Sequence, residues 1–224
     1  MSESCAVRRA LGTLLAAGGV ATLVLLLVHP HGRMQSLPVM VEFETRFRLL
    51  NALVHGGAIA LFLVLLAGHI ALGRLIKTAS LPVTLAVTAF GGGCAFIAAA
   101  LVLDGLVTPA LALQYRAAQD LALQHSIEAL MRFCGINIRT LMPMALLSFA
   151  ASALLWCAAL VPAGGRSRFA GVVSGVVGVL VGVMISVAAR EMPDHAALAG
   201  VSLIGLWQIA LAIIPFDANV VRRD

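Results

Sequence analysis

The 224-residue chain is 61% hydrophobic and 11% charged, with a formal net charge of +5 and a mean hydropathy of +1.04. Soluble domains are about 45–50% apolar and about 25% charged, so a water-soluble fold of this length could not cover so much apolar surface. The basic residues stand in pairs between apolar runs and form no stripe, which excludes a nucleic-acid footprint. These features predict an integral membrane protein, with residues 1–224 forming a single transmembrane domain.

Six apolar segments approach the roughly 20 residues that cross about 30 Å of hydrocarbon. Unpaired backbone groups are not tolerated in lipid, so each segment is predicted to be a helix. The predicted fold is all-α, a polytopic bundle of about six spans at 10–28, 49–73, 81–103, 141–161, 169–189 and 196–214. The first segment is too long for the apolar region of a signal peptide, so we expect it to be retained as a span. Pro82 and Pro143 would lie near helix starts, where a missing N–H costs little.

An amphipathic segment at about 109–132 separates the third and fourth spans. Charged and amide side chains recur there every four residues, at Arg116, Asp120, Gln124, Glu128 and Arg132. This spacing places them on one helix face and predicts two ion pairs, Arg116–Asp120 and Glu128–Arg132. The segment is expected to be a helix on the outer membrane surface or an outward extension of the fourth helix. It could be a simple solvated helix or a lid over a membrane cavity.

The orientation follows from the basic residues between the spans. The Lys and Arg counts on the two sides are nearly equal, but on one side they lie in short tails and tight turns with few acids. This places both termini in the cytoplasm. The strong preference for Arg over Lys is typical of a GC-rich bacterial gene, so the predicted location is a bacterial inner membrane.

Small residues form a stripe along the fifth span. They recur at intervals of three or four, at Gly171, Gly175, Gly178, Gly182 and Ser186. Such a stripe lets two helix backbones approach closely, because lipid supplies no hydrophobic force between helices. The neighbouring helix is expected within this chain, and a second copy or a membrane partner subunit is the alternative.

Most of the remaining polar side chains collect towards the outer ends of the spans. The ligand or polar-cavity candidates are His55, Asn51, Asp104, His125, Glu128, Asn137, Arg139, Arg190 and His195. Ionisable groups near membrane depth are costly and are therefore functional candidates. Asp104 closes the third span, the wrong dipole end for a negative charge. We therefore expect it to pair with Arg139, Arg190 or His55.

Metal and haem binding are weaker possibilities, and no cofactor is predicted. His29, His31 and His195 could join carboxylates in holding a metal ion, although histidines are also common in the headgroup region. His55 and His69 lie on one helix, about 21 Å apart by helical rise, and His69 has no visible partner. A two-haem cytochrome is therefore disfavoured. The cysteines are expected at different depths, which favours neither a disulfide nor a zinc site, and no hydrolase, Walker or HExxH motif occurs. The four cysteines are Cys5, Cys94, Cys134 and Cys157.

Three short motifs carry a resemblance: His29-Pro30-x-Gly32, Val54-His55-Gly56 and Gly105-Leu-Val-Thr-Pro109. In this order the chain resembles a loose group of uncharacterised bacterial six-helix membrane proteins. The resemblance extends over most of the chain and implies an architecture but no activity. His31 departs from the small or hydroxylated residue expected there, which argues against a shared histidine-based metal site.

Two functions from different classes remain open at this point. The first is a non-enzymatic small transporter or accessory subunit with a polar outward-facing cavity, and the sequence favours it. The alternative is a membrane redox or metal-binding protein, or an enzyme, that uses His55, Asp104, His125 and His195. In both cases the expected partners are the lipid bilayer and a further copy or subunit, and no nucleic acid.

Overall fold

The computed structural model describes residues 3–29, 36–76, 80–187 and 194–217. These residues are almost entirely helical, and no strand occurs in the described ranges. The helices within them are α1 (Glu3–Val28), α2 (Leu37–Arg46), α3 (Arg48–Leu75), α4 (Leu81–Val102), α5 (Thr108–Ala117), α6 (Leu121–Leu160), α7 (Gly165–Val187) and α8 (Asp194–Leu211). A π-helical turn, Leu103–Val107, joins α4 to α5, and short 3₁₀ turns follow α6 and α8 at Val161–Ala163 and Ile214–Phe216.

Six of the helical stretches are long and apolar enough to cross a membrane. They are Cys5–Val28, Arg48–Leu75, Leu81–Ala117, Leu121–Ala163, Gly165–Val187 and Ala196–Phe216. The predicted all-α bundle of six spans is confirmed, and the chain is a multi-pass membrane protein. We call the side on which α1 begins and α3 ends the termini side, and the side on which α1 ends and α3 begins the far side.

Three aromatic rings pack together in the core of the bundle, where α3, α4 and α6 meet. The Phe149 ring of α6 stacks on Phe62 of α3, with 5.5 Å between ring centroids, and lies 5.1 Å from Phe90 of α4. Gly93 makes this packing possible, because a Cβ there would lie 2.5 Å from the Phe149 ring. The Ser152 hydroxyl donates to the Ala86 carbonyl over 2.7 Å and fixes the register of α6 against α4.

The glycine stripe of α7 faces α6. A Cβ on Gly171 would lie 2.9 Å from the Val161 backbone nitrogen, one on Gly175 2.8 Å from Cys157 Sγ, and one on Gly178 2.9 Å from the Ala150 carbonyl oxygen. A Cβ on Gly182 would meet no described atom within 4 Å. Three of the four glycines therefore lie at a close helix contact within this chain, and the fourth lies beyond it.

The amphipathic segment between the third and fourth spans is divided between two helices. The third stretch continues past residue 103 through the π turn into α5, which ends at Ala117, and the fourth helix begins at Leu121, twenty residues before the predicted start. Hydropathy reports where a helix meets lipid, and α6 extends well beyond that part. The expected Arg116–Asp120 pair does not form, because the chain leaves the helix between them. Arg116 instead pairs with Glu42 at 3.4 Å, and the Asp120 carboxylate caps α6 by accepting from the Ala122 N–H.

Residues 121–140 form an extension of α6, which is one of the two alternatives predicted for the amphipathic segment. At about 1.5 Å per residue, the 40-residue helix is about 60 Å long, twice the hydrocarbon thickness. Pro143 therefore lies inside α6 and not at its start as predicted. The Glu128–Arg132 pair forms as predicted, at 2.6 Å. On the far side, α2, α5 and the extension share a small apolar cluster of Val41, Ala112, Ile127 and Met131.

Candidate metal-binding site

Three ligand-bearing side chains meet at the far side of the bundle. His55 Nε2 lies 3.0 Å from Asp104 Oδ2 and 3.2 Å from His29 Nε2. One ligand atom from each of the three residues falls within 4.8 Å of the other two. His55 is buried, His29 is half-buried, and 41% of the Asp104 side chain is exposed. The cluster is therefore anchored in protein on one side and open on the other.

Each ligand reaches the cluster through a local feature of its helix. His29 follows the last residue of α1, and His55 lies about two turns into α3. Asp104 lies in the π turn, which comes directly before Thr108-Pro109. Proline lacks an N–H and clashes with a regular preceding helical turn, and single π turns are rare and often found at functional sites. The Thr108 hydroxyl donates to the Leu103 carbonyl over 2.8 Å and stabilises this turn.

Gly105 allows the His55 ring to lie directly against the π turn. A Cβ on Gly105 would be 2.6 Å from His55 Nδ1, and closer still to the His55 Cγ and Cβ atoms. No side chain fits in that space. The residue after Asp104 must therefore be glycine for His55 to approach the Asp104 carboxylate as it does.

The hydrogen bonds of His55 assign its tautomer. A carbonyl oxygen only accepts, so the 2.8 Å contact between His55 Nδ1 and the Asn51 carbonyl requires a hydrogen on Nδ1. In a neutral ring the Nε2 lone pair then faces the Asp104 oxygen, and the two electron-rich atoms repel. A cation between them, either a proton on Nε2 or a metal ion, turns this repulsion into attraction.

Two of the three separations between ligand atoms fit a transition-metal ion, and the third is within 4.8 Å. An ion about 2.1 Å from each ligand in a tetrahedral site separates the ligand atoms by about 3.4 Å. The two measured separations, 3.0 and 3.2 Å, differ from this by a few tenths of an ångström. Two imidazoles and a carboxylate suit zinc, iron, nickel or cobalt, whereas calcium and magnesium prefer oxygen ligands. The Nδ1–H of His55 bound to a carbonyl is the outer contact that metal-ligating histidines usually make.

A buried glutamate supports the site from α2. Glu44 is 2% exposed, and its Oε2 accepts from the Asn51 side-chain amide over 2.9 Å. Burial and, to a smaller extent, the charge of Asp104 raise the Glu44 pKa from 4.5 to about 7, while the Asn51 hydrogen bond and His55 act in the opposite direction. Asn51 thus links Glu44 to His55. Its side-chain amide donates to the Glu44 carboxyl group, and its backbone carbonyl accepts from the His55 imidazole.

The structure brings together only part of the predicted candidate set. His55, Asn51 and Asp104 join His29, and of the partners proposed for Asp104 it is His55 that the structure shows. Arg139 forms no ion pair within the described residues. Asn137 donates to the Phe133 carbonyl of its own helix, and His125 lies 3.9 Å from Glu128 on the exposed extension of α6. Three candidates lie outside the described residues or have undescribed side chains: His31, Arg190 and His195.

His69 has two hydrogen-bond partners, and neither of them is a histidine. The Trp156 indole N–H donates to His69 Nδ1 over 3.1 Å, so His69 Nε2 carries the hydrogen and donates to Gln208 Oε1 over 2.9 Å. The ring is fully buried and stacks on Phe90 with 3.8 Å between centroids. Both ring nitrogens are engaged, so His69 is a packing residue that links α3, α6 and α8.

Sequence reasoning missed Glu44 altogether and did not place His29 beside His55. Glu44 precedes Asn51 by seven residues, a same-face spacing in a continuous helix, although the chain passes from α2 to α3 between them. That spacing was the available signal. Nothing in the local pattern indicates that His29, His55 and Asp104 meet.

Comparison with known proteins finds no match: no protein-family model, no curated protein and no solved structure matches the chain.

Proposed function

We propose that this multi-pass membrane protein binds a divalent transition-metal ion at the far side of its bundle, through His29 Nε2, His55 Nε2 and Asp104 Oδ2. The observation that carries the proposal is that one ligand atom from each of these three residues lies within 4.8 Å of the other two. A shared proton would need only His55 and Asp104. The His29 imidazole, which lies 3.2 Å from His55 Nε2, adds the second nitrogen ligand of a transition-metal site.

The same geometry suggests the coordination of the ion. Three protein ligands leave at least one position for water or an outside ligand, as in metal sites that exchange or act on their ligands. The exposed part of Asp104 gives access to that position. The ion is therefore exchangeable with the solution on the far side.

This proposal is preferred over a transporter or accessory subunit with a polar outward-facing cavity. The side chains expected to line such a cavity make local contacts on the extension of α6, including His125 with Glu128 and Asn137 with Phe133. Two grooves around Arg74, towards the termini side, are distant from these side chains. Neither groove includes a candidate residue.

Metal titration of the detergent-purified protein tests the proposal. The chain, stripped with a chelator, should bind one equivalent of Co²⁺ or Zn²⁺, and Co²⁺ should give the absorption bands of a low-symmetry site with nitrogen ligands. His55→Ala and Asp104→Asn should each weaken binding by about 100-fold or more, since the first removes a ligand and the second replaces a carboxylate by a neutral amide. His125→Ala is the matched control, because this histidine is 74% exposed on the α6 extension. Binding that persists in both site variants, or that is lost equally in the control, would rule the site out.

We further propose that the protein lies in a bacterial inner membrane with both termini in the cytoplasm, so that the site faces outward. The basic residues in the short turns and tails of the termini side support this orientation. Single cysteines introduced beside Arg166 and beside Arg116, in a background without the native cysteines, should differ in labelling by an impermeant reagent. Labelling is expected only beside Arg116. Labelling beside Arg166 alone would reverse the orientation.

A further inference from the structure

Two apolar grooves on the membrane-facing surface share one basic side chain. The first, of about 490 Å³, lies between α3 and α4 and is lined chiefly by Gly73, Val83 and Val87. The second, of about 430 Å³, lies between α1 and α3 and is lined chiefly by Leu11, Ala67 and Ala71. Ile70 and Arg74 belong to both grooves.

The shared residues form a ridge that ends in a positive charge. Ile70 and Arg74 are one turn apart, so their side chains follow each other on one face of α3. Ile70 is 38% exposed and separates the two grooves. Arg74 lies in the last turn of α3, at the termini side, and forms no ion pair with any residue that the structure describes.

We propose that this surface is a binding site for one anionic phospholipid, with its phosphate on Arg74 and its two acyl chains in the grooves on either side of Ile70. The charge selects the headgroup, since basic pockets between spanning helices bind anionic lipids. The paired grooves match the two chains of a diacyl lipid. Thr84 and Thr88 also line the α3–α4 groove. This site is independent of the metal cluster, which lies at the opposite side of the bundle.

Lipid binding to the detergent-purified, delipidated protein can be counted by native mass spectrometry. The probes are phosphatidylglycerol and phosphatidylcholine with identical acyl chains. The wild-type chain should retain one phosphatidylglycerol with at least about fivefold preference over phosphatidylcholine, the size expected for one arginine at the headgroup level. Arg74→Gln should remove this preference, and Arg74→Lys should keep most of it.

Two further variants distinguish this site from non-specific electrostatic attraction and from non-specific hydrophobic binding of lipid. Arg168→Gln removes an exposed charge on the same side of the bundle, outside both grooves, and should leave the preference intact. Ala67→Trp fills the α1–α3 groove and should weaken the retention of both lipids while Arg74 is still present. The proposal fails if the two lipids bind equally to the wild type, if Arg168→Gln acts as strongly as Arg74→Gln, or if inorganic phosphate displaces the bound lipid.

Discussion

A single methyl group on the π turn should separate the metal ligands. Gly105 has a negative φ, so alanine is acceptable to its backbone and the effect of Gly105→Ala is steric. The new Cβ would lie 2.6 Å from His55 Nδ1 and closer still to His55 Cγ and Cβ, whereas ordinary contact begins at 3.4 Å, so the side chain must retreat by more than about 0.8 Å. Metal–ligand distances tolerate deviations of only about 0.2 Å. The displaced imidazole can no longer complete the site with Asp104 and His29.

Gly105→Ala is therefore expected to weaken Co²⁺ binding by about 100-fold, or about 2.7 kcal/mol, measured by titration of the purified protein. Overpacking should also lower the free energy of unfolding by about 1–3 kcal/mol. Gly56→Ala is the matched control, because it adds the same methyl group beside His55 where no described atom lies within 4 Å. The control should keep full metal affinity and equal or higher thermal stability. Wild-type Co²⁺ affinity in Gly105→Ala would refute both the close approach and the role of His55 as a ligand.

The other predictions concern the support of the site and the packing of the bundle. Glu44 binds its proton more tightly in the folded chain, with a pKa of about 7 against 4.5, so the stability it contributes below pH 4.5 is lost as the pH rises to about 7. The loss is at most about 3 kcal/mol. In thermal unfolding of the metal-free protein between pH 5 and 8, Glu44→Gln should flatten the decline, and Glu42→Gln, on the exposed face of α2, should not. Gly178→Leu should lower thermal stability by more than about 2 kcal/mol through overpacking against α6, whereas Gly182→Leu should be nearly neutral; equal effects would contradict the close contact.

The spans were predictable because one requirement, the transfer of a long apolar helix into hydrocarbon, dominates their sequences. Crossing hydrocarbon requires a long apolar helix, and composition reports that requirement directly. The boundaries of the third and fourth helices were not predictable in the same way. Both helices continue beyond the lipid, where α2, α5 and the start of α6 are held by a small apolar cluster around Ile127 and Met131. Hydropathy does not indicate where a helix ends once it has left the lipid.

The site was predictable as a set of candidates but not as a cluster. His55 and Asp104 were singled out because polar groups at membrane depth are costly, and their pairing was one of three options. The ligands are separated by 26 residues between His29 and His55 and by 49 between His55 and Asp104. Which faces of three helices meet depends on packing, such as the contact that Gly105 permits. That information is distributed over the whole bundle and has no local pattern.

The two histidines of α3 show why residue type and depth do not determine function. His69 receives a hydrogen from Trp156 on one ring nitrogen and donates from the other to Gln208, so both nitrogens are engaged by neutral groups. His55 donates only to a carbonyl of its own helix, and its other nitrogen faces a carboxylate and a second imidazole. Both ring nitrogens of His69 are therefore hydrogen-bonded to neutral groups, whereas His55 Nε2 faces a carboxylate, an arrangement that a proton or a metal ion stabilises. The same side chain is therefore a packing residue near one end of α3 and a candidate ligand near the other, and the difference is made by helices far away in the chain.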